Sequence, residues 1–281
     1  MKKTKSILLG LILISIAFSF TPSVIPQVGT YTFHGGAGNV KILKVRTVDS
    51  AGLTDLFGTD WADVIGIFGA GAINVGARSK SLVTGVNISA KYDSIFYGIY
   101  DVAEYNTSNW AFKTGEFNAT PDTVGDIVIT FYDPANLSYY IHTFWGGFPF
   151  YYNVNISLHT AGAYLAQLPT PVAGYLENIV WEPKWESVGN SIVHNADVND
   201  TAFFWGFKYL EACQEIWTYD ETYGAWIAYE IKDDTGNIIY KFSIELSTLP
   251  AIPGYDILLL CITASGSIGI IYLLIKKKRL F

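Results

Sequence analysis

The sequence predicts an α+β fold: a predominantly antiparallel, curved β-sheet ectodomain with a few short helices, followed by one C-terminal transmembrane helix. Three observations carry this prediction. Four strand-length runs crowd the C-terminal part, and acidic, Gly-containing turns separate the last three. In the final run Ile238, Tyr240, Phe242, Ile244 and Leu246 alternate with Ile239, Lys241, Ser243 and Glu245, which is the period of a half-buried antiparallel strand. Beyond that run, Ile257 to Ile275 carries no charge. That stretch of about 19 residues, as a helix, matches a hydrocarbon core of about 30 Å.

Taken in order, the first folded segment reads as two strands, Thr30 to Phe33 and Val40 to Val48, with the glycines of His34-Gly35-Gly36-Ala37-Gly38 as a hairpin loop. Two short helices follow. Ser50 caps the first and Gly58 stops it; Thr59 caps the second, where Trp61, Val64, Ile65 and Phe68 recur on one face and Gly69 ends the run. From Ala77 to Asp133 the pattern turns β-rich, with strands over Ser79 to Tyr92, Ile95 to Tyr105, Trp110 to Phe117 and Asp126 to Tyr132. A helix over Leu158 to Leu168 contains Gly162. The next helix starts with Thr170 as N-cap and Pro171 at its first position, and carries Val172, Tyr175, Leu176 and Ile179 as its apolar stripe. The four C-terminal strands are Phe203 to Leu210, Cys213 to Tyr219, Ala225 to Lys232 and Ile238 to Leu246.

The two ends give the topology. Lys2, Lys3 and Lys5 precede an apolar stretch, Ile7 to Phe20, of about 14 residues, the length of a secretory h-region. Lys276, Lys277, Lys278 and Arg279 follow the C-terminal run and hold that end in the cytoplasm. The expected organisation is a signal peptide over 1–25, one extracellular domain over 26–252, a transmembrane helix with a short lead-in over 253–275 and a basic tail over 276–281. The expected localisation is therefore the cell membrane, single-pass, with the N-terminal domain outside.

Charge narrows the partners. Seven of the 18 basic residues lie in the two termini, so the exported region keeps 11 against 24 acidic residues and a net charge of −13. Nucleic acid and an anionic lipid surface are poor partners for its outer face. Outside the apolar tail, which holds Cys261, the chain has a single cysteine, Cys213, so no intrachain disulfide supports the ectodomain. Six Asn-x-Ser/Thr triplets, at Asn87, Asn106, Asn118, Asn136, Asn155 and Asn199, are candidate glycosylation sites and predict solvent-exposed turns.

No motif supplies a catalytic set. Asp234-Thr235-Gly236 has the residues of an aspartic-protease loop, but no second such triplet occurs and its place between two strands suits a plain turn. His34-Gly35-Gly36 has the look of an esterase oxyanion loop, yet Gly-x-Ser-x-Gly is absent from the chain. Gly69-Ala70-Gly71 follows a helix rather than a strand, the wrong order for a dinucleotide loop. His34, His142, His159 and His194 are far apart, with none at helical metal-ligand spacing. The expectation is a protein without enzymatic activity, cofactor or metal. What stands out is the aromatic content, 16% against 15% charged, densest from Phe131 to Tyr152. Phe144, Trp145, Phe148 and Phe150, where glycines and a proline interrupt the sheet, are the candidate apolar-ligand or interface residues.

The stretches LTDLFGTDWADVIGIFGAGAINVGARSKSLVTG, LAQLPTPVAGYLENIVWEPKWE and YDETYGAWIAYEI, with IPGYDILLL and KKKR behind them, resemble a group of Asgard-type archaeal cell-surface proteins with interchangeable C-terminal anchor or sorting segments. The resemblance implies an archaeal surface protein and brings no activity or site residues with it. The strand-turn-strand ending is also loosely similar to lipoprotein-carrier folds, in which a curved sheet and helices enclose an apolar ligand; that likeness is of architecture alone. The expected function is a membrane-anchored, glycosylated surface ectodomain that binds envelope components. The alternative is a lipid or apolar-ligand carrier, and an extracellular hydrolase is a third reading.

Overall fold

The computed structural model describes residues 31–94, 98–138, 140, 155–202 and 207–247. The described residues fall within one unit, Pro26–Ala251. The expected signal peptide, transmembrane helix and basic tail lie outside the described residues, as do Phe144, Trp145, Phe148 and Phe150. Among the described residues no helix is long and apolar enough to cross a membrane.

Among the described residues, nine strands form one antiparallel sheet, curved into a half-barrel. They are β1 (Val40–Val48), β2 (Arg78–Ser94), β3 (Gly98–Lys113), β4 (Thr123–Phe131), β5 (Trp185–Val188), β6 (Ser191–Ala196), β7 (Cys213–Tyr219), β8 (Trp226–Asp233) and β9 (Ile238–Ser247). Their order across the sheet is β4-β3-β2-β1-β9-β8-β7-β6-β5. Each arm is a meander of sequence neighbours, and the pairing of β1 with β9 joins the two arms. The predicted fold class of an antiparallel curved sheet with few short helices is what the chain adopts.

β7, β8 and β9 form within a residue or two of the predicted bounds because alternation and turn chemistry agree there. The Asp233 side chain accepts from the backbone N–H of Thr235 (2.9 Å) and Asn237 (2.8 Å), closing the β8–β9 turn that contains Asp234-Thr235-Gly236. In β9, Tyr240 and Phe242 are fully buried, while Ile238 and Leu246 at the strand ends are exposed.

Several expectations are corrected. Val40–Val48 does not form a hairpin with the segment before it. Its partners are β2 and β9, and Thr32 instead bridges Thr170, with backbone bonds of 3.0 and 2.8 Å. The two strands predicted on either side of Asn106-Thr107-Ser108-Asn109 are one continuous strand, β3. That polar stretch reads as a break, but its backbone is paired on both sides, and Thr107 and Asn109 line the wall of a cleft. Of the predicted strand over Phe203 to Leu210, residues 203–206 lie outside the described residues and the remainder makes only an isolated bridge, Lys208 to Thr201. β5 and β6 have no counterpart in the sequence prediction.

The short helices lie close to their predicted places. In α1 (Ser50–Phe57) the cap is Asp49 rather than Ser50, accepting from the Ala51 N–H, and Gly58 at φ 74° ends it. A 3₁₀ turn over Gly58–Asp60 leads into α2 (Trp61–Gly66). α3 is only Leu158–Ala161, held by a Ser157/Thr160 capping box, and gives way at Gly162 to a 3₁₀ turn, where the sequence predicts a helix to Leu168. α4 (Val172–Glu177) starts one residue later than predicted, after a cis Thr170–Pro171 bond, and buries Val172, Tyr175 and Leu176 as its stripe requires.

Two main clusters of buried residues result. One joins Leu53, Leu56, Val64 and Ile65 of α1 and α2 to Tyr229, Tyr240 and Phe242 of the sheet. The other joins α3 and α4 to Phe131, Ile192 and Tyr219. Trp217 and Trp226 pack against both and stack on one another at 4.6 Å.

Candidate functional site

Two places carry more polar chemistry than a core requires. The first is a cleft of about 430 Å³, within the usual range of roughly 300–1,000 Å³ for small-molecule sites. Strand register builds one wall. Lys41, Ser81, Asn109 and Thr123 lie directly opposite one another across β1, β2, β3 and β4. Lys41 shares its face of β1 with Leu43 and Val45, which are buried, so this row continues the core-facing side of the strand in polar residues. Trp226, Tyr223, Gln167 and His34 also line the cleft.

Lys41 is the group with unusual electrostatics. It is half-buried, and desolvation pulls its amine down to about 8 from its ordinary 10.5. Its Nζ lies 5.5 Å from the centre of the Trp226 ring, a cation–π contact. The acidic groups of the cleft are hydrogen-bonded to its own wall. Asp126 accepts from Asn109 Nδ2 at 2.8 Å and from the Thr123 hydroxyl, and Asp122 accepts from the Ala111 N–H at 2.8 Å. Burial also lowers the pKa of His34, which favours its neutral imidazole. The cleft thus offers aromatic and aliphatic surface, hydrogen-bonding side chains, two aspartates and two amines, Lys41 and Lys80, of which Lys80 lies over the Trp110 ring at 4.3 Å.

The second place is inside the sheet. In β7, Cys213, Glu215, Trp217 and Tyr219 alternate with Gln214, Ile216 and Thr218, and the first set faces the interior. A carboxylate therefore occupies a core position, with no exposed surface. Both of its oxygens accept hydrogen bonds. Oε1 accepts from Trp217 Nε1 (3.0 Å) and Tyr229 Oη (3.3 Å), while Oε2 accepts from Tyr209 Oη (3.1 Å) and lies 3.3 Å from His194 Nδ1. Burial, followed by the nearby Glu215 charge, raises both Tyr209 and Tyr229 well above the ordinary phenol range and keeps them as donors.

His194 lies directly across from Glu215 on β6 and directly across from Trp185 on β5. Its ring stacks on Trp185 at 4.2 Å, with 8° between the planes. His159, on α3, brings its ring edge-on to both, 5.0 Å from Trp185 and 5.7 Å from His194. Desolvation lowers the His159 pKa, opposed by the Glu215 charge. Its Nε2 is buried and has no hydrogen-bond partner, at a cost of about 1–3 kcal/mol for such a group. One donor atom each from His159, His194 and Glu215 lies within 4.8 Å of the others. The sequence names none of the three as a site, because they are separated along the chain: strand pairing brings His194 to Glu215, and His159 reaches them from α3. The available signal was Glu215 at the parity of Cys213, Trp217 and Tyr219.

Of the residues singled out from the sequence, Asn118, Asn155 and Asn199 are exposed outside regular strands, and Asn199 takes φ 70° in a turn. Asn136 is half-buried in a helical turn over 134–138. Asn87 and Asn106 lie within β2 and β3 instead of turns, Asn87 exposed and Asn106 half-buried. Comparison with family models, with curated proteins and with solved structures finds no match to this chain.

Proposed function

We propose that this chain is a binding module without enzymatic activity, exported and held at the membrane by its C-terminal segment, and that its cleft takes a small ligand with an apolar body and an anionic group. The observation that carries this reading is Lys41, an amine placed on the core-facing side of β1 within a largely apolar cleft. A desolvated cation beside Trp226, with the neighbouring carboxylates already bonded, is costly in the free protein and is relieved by an incoming anion.

The reading is tested by calorimetric titration of the full chain with dodecanoate and, as a neutral control, dodecanol. Dodecanoate is expected to bind at neutral pH and dodecanol far more weakly. Affinity for dodecanoate should fall as pH rises through about 8, where Lys41 loses its proton. Lys41→Met should weaken dodecanoate binding by at least roughly tenfold. Failure of both probes to bind, or equal binding by the Lys41→Met protein, overturns the reading.

A further inference from the structure

The trio around Glu215 goes beyond that reading and is independent of the cleft. We propose that His159, His194 and Glu215 form a binding site for a divalent transition ion of the zinc class. Two imidazoles and one carboxylate are the donor set of open, three-ligand zinc sites. Here they come from α3, β6 and β7, and one donor atom from each falls within 4.8 Å of the others. Donors on a tetrahedral zinc ion are about 3.3–3.5 Å apart, given metal–nitrogen distances near 2.0–2.1 Å. A modest contraction therefore completes the site.

His159 is where that contraction is available. His194 and Glu215 are fixed by cross-strand pairing and by Trp185, Tyr209 and Tyr229, whereas His159 stands on a single-turn helix and is only half-buried. Its Nε2, buried and unpartnered, has the lone pair that an ion would use. Glu215 has no exposed surface, and a dication would pair with its carboxylate there. Coordination through Glu215 Oε2 would replace the contact to His194 Nδ1. Tyr209, Tyr229 and Trp217 would remain as hydrogen-bond donors that orient the carboxylate, as the outer partners of metal ligands do.

The experiment uses cobalt(II) alone as probe, added to the full chain after chelator treatment and followed by its visible d–d absorption and by elemental analysis. The expected result is one cobalt per chain, with the strong absorption of four- or five-coordination, displaced by zinc(II). His159→Gln should lower cobalt affinity by at least roughly tenfold. Near-UV circular dichroism should show the fold of that variant unchanged. Tyr209→Phe, which keeps all three ligands and removes one bond to Glu215, should weaken binding less than His159→Gln does. Absence of cobalt binding to the unmodified chain, a weak six-coordinate spectrum, or the same affinity in the His159→Gln protein overturns the proposal. None of these outcomes bears on dodecanoate binding.

Discussion

Glu215 and Lys41 are both charged residues at positions that strand alternation gives to the core, and they differ in how the charge is met. Glu215 accepts from three donors, Tyr209, Trp217 and Tyr229, so removing it strands those groups without an acceptor. Glu215→Ala is expected to lower stability by about 3–5 kcal/mol, read from the urea midpoint; a loss below about 1 kcal/mol would show that Tyr209, Tyr229 and Trp217 find other acceptors. Lys41 has a ring and, among the described residues, no carboxylate in ion-pair contact. Between pH of about 8 and 10.5 the unfolded chain holds a proton that the folded chain has released, so this group makes stability rise with pH across that window. Below it both states are protonated, and the folded state carries the desolvated cation. Lys41→Met should therefore raise the thermal midpoint at neutral pH while weakening dodecanoate binding, which separates lost binding from lost folding. Neither residue was legible as a site. The chemistry depends on which residues face each other across strands, and a lone Lys or Glu in an alternating run looks the same whether it points in or out.

At the scale of elements, turns hold the strands in place, and two glycines show how differently they do so. Gly224, in the β7–β8 turn at φ 70°, lies so close to the chain at Leu168 that an added Cβ would sit 1.7 Å from the Leu168 carbonyl oxygen. The Leu168 N–H donates to the Gly224 carbonyl at 2.8 Å, so this contact ties the turn to the segment that leads into α4. Gly236, in the β8–β9 turn at φ 88°, has open space around it. Gly236→Ala should cost about 1–2 kcal/mol from backbone conformation alone, and Gly224→Ala at least twice as much, since it also displaces the 168 segment. Equal shifts in the thermal midpoints of the two variants would contradict this account. β7, β8 and β9 were legible because period and turn residues point the same way. β5 and β6 were not, since β5 has four residues and β6 carries Ser191, His194 and Asn195 among its apolar positions. The polar run inside β3 was mistaken for a break because a strand lining a cleft does not carry the apolar alternation of one lining a core.

For the whole molecule, strand pairing and burial together sort the candidate glycosylation sites. On exported protein, occupancy is expected to be highest at Asn118, Asn155 and Asn199, which are exposed outside strands, and lowest at Asn106, which is half-buried and has partners on both sides in the sheet. Glycopeptide mass spectrometry checks this, and preferential modification of Asn106 would count against it. The sheet order has a mechanical side as well. β9, the last described strand, is not at an edge but lies between β1 and β8. Tension applied to the chain beyond Ser247 loads two hydrogen-bonded ladders in shear at once. A strand at the rim could be unzipped one bond at a time, whereas this one has to slide past both neighbours before the domain gives way.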